Sequence, residues 1–176
     1  MGAKRTAKKA SPSLTPDDLA ARIAATGLAP TAYLLPRDAI HGPGDYAAIA
    51  AALQGLAGHD GGAPPTAGGA FPLERVTDSV DLADGLASLE LALDGVHHVL
   101  EAEVRGARVD EGVLIMLGAL FDRRQAAQPP SSRRSFFVDA TTCKATKTLL
   151  LLCVTREAML AINAAAGSAF VPLTEI

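Results

Sequence analysis

The sequence predicts a mainly α protein, a small helical bundle built around a long helical hairpin over about residues 74–127. A small β element in the last 45 residues is the alternative to a further helix there. Three observations carry this expectation. Of 176 residues, 35 are Ala and 23 are Leu, against seven aromatic residues and no Trp. Ala and Leu lose little side-chain entropy when the backbone coils, so composition tilts the chain toward helix. Leu82, Leu86, Leu89, Leu93, Val96 and Leu100 recur at spacings of 4, 3, 4, 3 and 4, the seam of a helix packed lengthwise on another. Helix start and stop signals punctuate the chain.

Thr15, Pro16, Asp17 and Asp18 form such a start: a capping hydroxyl, a proline at the first helical position, and acids beside the positive end of the helix dipole. Gly27 marks its stop. Tyr33 to Leu35 run into Pro36, which cannot continue a helix, so that piece is expected to be extended. A second helix, roughly Asp45 to Leu56 and capped by Asp45, is almost wholly Ala, Ile and Leu and is expected to be buried on most sides.

Residues 58–72 hold five glycines and three prolines and read as a linker or long surface loop. The domain organisation expected is a basic flexible tail (1–13), an N-terminal helical subdomain (14–57), the linker (58–72) and a main helical core with an extended C-terminal arm (73–176). Gly106 interrupts the leucine-patterned helix, and Asp110 and Glu111 open another that Arg123 and Arg124 close. Beyond Pro129-Pro130 two readings compete. The preferred one is a single helix from Asp139 to Ala166, favoured by its leucines. The other is a strand pair, 135–140 with 148–155, favoured by five threonines between 141 and 155, with Thr155 capping a short helix that ends at Gly167.

Cys143 and Cys153 show neither disulfide nor metal-type spacing, so a reducing compartment is expected. The basic start runs into Ser, Pro and an acidic helix opening, unlike a secretory signal. The longest apolar run, Leu149 to Val154, is far short of the roughly 20 residues of a membrane-spanning helix. The expected location is therefore the cytoplasm or an intracellularly assembled particle.

Charge is strongly segregated. Residues 1–9 carry +4, residues 10–122 carry −11, residues 123–147 carry +5 and the remainder −1. The basic residues Lys4, Arg5, Lys8, Lys9, Arg123, Arg124, Arg133, Arg134, Lys144 and Lys147 are thus candidate partner-binding residues. An acidic surface of a neighbouring protein, or of another copy, would attract them. Nucleic acid is an alternative partner through counterion release, although the block carries no interleaved aromatics. Glu90, Asp94, His97 and Glu101, spaced 4, 3 and 4, would share one stripe of a helix and form a candidate metal site completed by a second subunit. A solvated polar face explains the same spacing.

No Gly-x-Ser-x-Gly elbow, P-loop or dinucleotide fingerprint is present, and no cofactor is expected. The functional expectation is a non-enzymatic structural or adaptor subunit of a larger assembly, of bacterial-particle or virion type, that associates through opposed basic and acidic surfaces. A nucleic-acid-associated protein and a helix-bundle metal-binding protein with an intersubunit site are the alternatives.

Overall fold

The computed structural model describes residues 14–29, 31–59, 70–140 and 146–176. In chain order the elements are α1 (Pro16–Thr26), β1 (Tyr33–Pro36), α2 (Asp45–Gly58), β2 (Leu73–Asp81), β3 (Leu86–Leu93), β4 (Val96–Glu103), α3 (Glu111–Gln125), β5 (Arg134–Asp139), β6 (Thr148–Thr155), α4 (Arg156–Ala166) and β7 (Phe170–Pro172). Short 3-10 turns at Pro130–Ser132 and Leu173–Glu175 complete the set. The strands form two antiparallel sheets, one ordered β1-β6-β5-β7 and the other a meander β2-β3-β4. The expected mainly α bundle is therefore corrected to a mixed fold of helices and two antiparallel sheets.

The correction is sharpest at 74–127. Only the second half of that span is helical, as α3; the first half is the meander. Helical spacing in the leucines coexists with strict alternation, and alternation wins: Ala87, Leu89, Leu91 and Leu93 are all buried on one face of β3. Leu82, Leu86 and Val96, half of the proposed helical seam, are instead exposed. Two Asp-Gly pairs decide between the patterns. Asp94 and Gly95, at φ 52° and 78°, close a two-residue turn between the paired residues Leu93 and Val96, the positive-φ geometry that keeps hairpin strands from splaying. Gly85, also at positive φ, ends the β2–β3 turn, in which the Asp81 carboxylate accepts from the amides of Ala83 and Asp84 at 2.9 and 3.0 Å.

The C-terminal segment follows the strand-pair reading, and the long helix from Asp139 to Ala166 is corrected accordingly. β5 pairs with β6 from Arg134↔Thr155 to Val138↔Leu151, and the Thr155 hydroxyl caps α4, which stops at the left-handed Gly167. The run Leu149 to Val154 shows no alternation because both faces of β6 are covered. Leu149, Leu151 and Cys153 enter the main core, and Leu150, Leu152 and Val154 enter a second core beneath α1 and α4. Each such leucine contributes about 1.5–3 kcal/mol of burial, which outweighs any helical preference of the same residues.

α2 and α3 lie between the two sheets: α2 packs on β1, β2 and β6, and α3 on β4 and β5. Phe71, Phe121 and Phe136 meet edge-on or tilted at centroid distances of 4.7–6.0 Å in this main core. β1 lies on one side of the chain's residues 58–72 and β6 on the other, yet Tyr33 pairs with Leu151 and Pro36 with Thr148.

Local helix signals agree with the structure at α1 and α3, while the Thr155 cap of α4 belongs to the reading that was not preferred. Thr15 and Asp18 form a capping box on α1, and Asp110 caps α3. The cap of α2 is a further correction: Gly44 occupies that position, and the Asp45 carboxylate accepts from the amides of His41 and Gly42 at 2.7 and 3.0 Å.

Candidate interaction surface

The three-stranded sheet is held onto the helices by carboxylates from its own loops and strands. Asp78, on the face of β2 turned toward α2, accepts from the backbone amides of Gly44, Tyr46 and Ala47 at 2.5, 2.8 and 3.1 Å. A residue 32 positions beyond Tyr46 thus supplies the acceptors that the first turn of α2 lacks. The buried Tyr46 hydroxyl accepts from the Asp110 amide at 3.0 Å, and the Asp110 carboxylate accepts from Gly112 at 2.8 Å and Glu103 at 2.9 Å. Burial raises the Tyr46 phenol above its ordinary pKa, the nearby Asp110 charge adds to that rise, and the Asp110 amide opposes it. At the far end of the meander Arg124 pairs with Asp94 and donates to the Ala70 carbonyl.

The opposite face of this sheet meets solvent. Across its rows lie Thr77, Glu90 and Val99, then Ser79, Ser88 and Glu101, then Asp81, Leu86 and Glu103. The serine hydroxyls of the middle row meet at 2.9 Å. Leu86 and Val99 are 60 and 50% exposed on this face, Leu82 is exposed in the β2–β3 turn, and Val96 is exposed at the hairpin end. Four of the eight large exposed apolar side chains among the described residues therefore belong to one meander, Leu82 and Leu86 at its β2–β3 end, Val99 midway along β4 and Val96 at the β3–β4 turn, interspersed with Asp81, Glu90, Glu101 and Glu103. A groove lined by Leu93, Val96, His98, Leu120, Arg123 and Ala127 runs between β4 and α3.

The four candidate metal ligands do not converge on a helix stripe. His97 Nε2 lies 3.6 Å from a Glu90 oxygen on the exposed face, where such a pair contributes little to stability. Asp94 is held by Arg124 in the turn. Glu101, four residues from His97 along an extended strand, is displaced by about 13 Å. No group of three metal-ligating side chains occurs among the described residues.

The basic candidates divide. Arg134 donates to the carbonyls of Ala57 at 2.9 Å and His59 at 3.1 Å, satisfying the C-terminal end of α2, and to that of Cys153 on β6 at 2.7 Å. Arg133 donates to Ala126 and Gln128 at the end of α3, each at 2.8 Å. Arg124 is engaged with Asp94. Arg123 is exposed in the β4–α3 groove, and Lys147 is exposed before β6. Lys4, Arg5, Lys8, Lys9 and Lys144 lie outside the described residues. The exposed Leu82, Leu86, Val96 and Val99 escaped the sequence reading, which took the first three for a buried seam. The Asp-Gly pairs at 84–85 and 94–95, each beside alternating apolar residues, are the signal that identifies them as hairpin positions.

Elsewhere, Asp122 on α3 has one buried carboxylate oxygen without a hydrogen-bond partner, and burial raises its pKa against a lowering bond from Ser135. Arg37 Nη1 meets Glu111 at 3.0 Å beside Arg108. Among the described residues no helix is long and apolar enough to cross a membrane. Comparison with protein-family models, with curated proteins and with solved structures returned no match to this chain.

Proposed function

We propose that the protein is a non-enzymatic, self-associating structural or adaptor subunit of a larger assembly, of the kind found in an intracellular particle, and that it meets its neighbours through the three-stranded sheet. The observation that carries this reading is the exposure of Leu82, Leu86, Val96 and Val99 along one meander, interspersed with acidic side chains. Exposed apolar side chains lower their free energy when a second surface removes them from water. The acids around them select against wrong partners and tune the rate of encounter. The carboxylates and arginines most involved in hydrogen bonding, Asp78, Asp110, Arg124 and Arg134, serve helix ends and turns, which are structural duties.

In this proposal the acidic side is the three-stranded sheet, and the basic side is smaller than the sequence-based expectation of opposed charged surfaces had it. Much of the basic block acts within the chain, leaving Arg123 and Lys147 as the exposed described cations of that block beside Arg133. Sedimentation velocity of the full chain across a hundredfold concentration range, at low and high salt, tests the reading. Concentration-dependent association, with chemical cross-links between chains mapping to 73–103, is expected. A single monomeric boundary at every concentration and salt overturns it.

A further inference from the structure

Sheet edges expose unpaired amides and carbonyls, and three of the four edges here are blunted. β1 has four residues and ends in Pro36; β7 has three and ends in Pro172. β2 carries a bulge between Glu74 and Thr77, with Arg75 at φ 52°, that breaks its register. β4 has eight residues, no proline and no bulge.

The direction of its backbone groups follows from two hydrogen bonds. The Val104 amide donates inward to Gly85 at 2.8 Å, and the Glu103 amide donates outward to the Asp110 carboxylate at 2.9 Å. Because directions alternate along a strand, the amides and carbonyls of His97, Val99 and Glu101 point to the open edge, while those of His98, Leu100 and Ala102 serve β3. The tight turn between Leu93 and Val96 requires the same phase. Asp110 thus closes the edge at Glu103 and leaves a five-residue window, 97–101, that nothing in the described chain covers.

We infer that this window binds the same window of a second copy, antiparallel about a two-fold axis at Val99, joining two meanders into one six-stranded sheet. The inference rests on the self-association proposed above and names its site. Antiparallel pairing about Val99 sets His97 opposite Glu101 twice and forms up to about six backbone hydrogen bonds. Among registers centred on an outward-facing residue of the window, this one alone sets His97 opposite Glu101. Moving the axis to Glu101 opposes two carboxylates, and moving it to His97 opposes two imidazoles. At the axis the two half-exposed Val99 side chains cover each other on the solvent face. Glu90, 3.6 Å from His97 in its own chain, then flanks the imidazole from the other side.

The test is sedimentation equilibrium of the full chain carrying Glu90→Gln throughout, so that a carboxylate introduced at 97 has no acid beside it within its own chain. Four species are compared: this parent, Val99→Lys, Glu101→Lys, and His97→Glu with Glu101→Lys. All changes are on exposed side chains, and thermal melts verify that each variant is folded. The parent dimerises, Val99→Lys and Glu101→Lys each weaken the dimer at least about tenfold, and the charge-swapped double variant returns to within about threefold of the parent. Dimerisation unchanged in both single variants, or a double variant weaker than Glu101→Lys alone, overturns the edge assignment and leaves self-association through another surface standing. A parent that stays monomeric overturns both.

Discussion

Replacing Asp78 by Ala removes the acceptor that joins the solvent-facing sheet to the first turn of α2. Three amides, those of Gly44, Tyr46 and Ala47, lose their partner at once. Loss of a capping carboxylate costs about 1–2 kcal/mol, and loss of its charge at the helix N-terminus adds about 0.3–1 kcal/mol. Asp78 is only partly buried, so water re-solvates some of the freed amides and keeps the total near 2–3 kcal/mol. Asp78→Asn retains one oxygen acceptor without the charge, and its cost is about 1 kcal/mol by the same terms. Urea denaturation of the full chain, followed by far-ultraviolet circular dichroism, reads both values from midpoint shifts at constant slope. A loss below about 0.5 kcal/mol for Asp78→Ala would falsify the assignment of this side chain as the remote cap of α2.

Three further outcomes follow from the same geometry. Gly95→Ala places a β-carbon at φ 78° in the β3–β4 turn and destabilises the chain by about 1–2 kcal/mol, seen as a lowered melting temperature; an unchanged one contradicts the turn. Arg134→Ala costs about 1.5–3 kcal/mol in urea because three carbonyls lose a charged donor, whereas Arg123→Ala, exposed in the groove, stays within about 0.5 kcal/mol; equal effects contradict the division of the basic block. Asp122 has a folded-state pKa above its unfolded value, so its protonated form favours folding below the unfolded pKa, and that contribution disappears as pH rises through the folded pKa. Asp122→Asn is therefore more stable than the parent at neutral pH, by a margin that shrinks in acid. A margin that grows as pH falls through the carboxylate range contradicts the sign.

How much of this was legible in the sequence depended on how local the deciding interaction is. The Thr15 capping box, the Asp110 cap and the glycine stop at 27 act within a few residues, and the elements they bound agree with the sequence expectation; the stop at Gly167 agrees too, although the helix it ends starts at Arg156 and not at Asp139. The β3–β4 hairpin was misread because its leucines fit both a heptad and an alternation, and the Asp94-Gly95 turn that separates the two was not weighed. β6 was misread for a different reason. A strand buried on both faces shows no periodicity, and much of its coverage comes from α1 and α2, elements distant in sequence, together with α4, which follows it directly. The charge map identified the arginines without showing that Arg134 reaches across to Ala57 and His59, a contact created only by the tertiary fold.

Amide hydrogen exchange along β4, resolved residue by residue by NMR at low and high protein concentration, bears most directly on the open sheet edge. Dilute protein should exchange rapidly at His97, Val99 and Glu101 while His98, Leu100 and Ala102 stay protected, and concentrating it should slow the first three. Uninterrupted protection through 96–103 in dilute solution, or alternation that concentration leaves untouched, would contradict an edge that is free in the monomer and filled by a second copy.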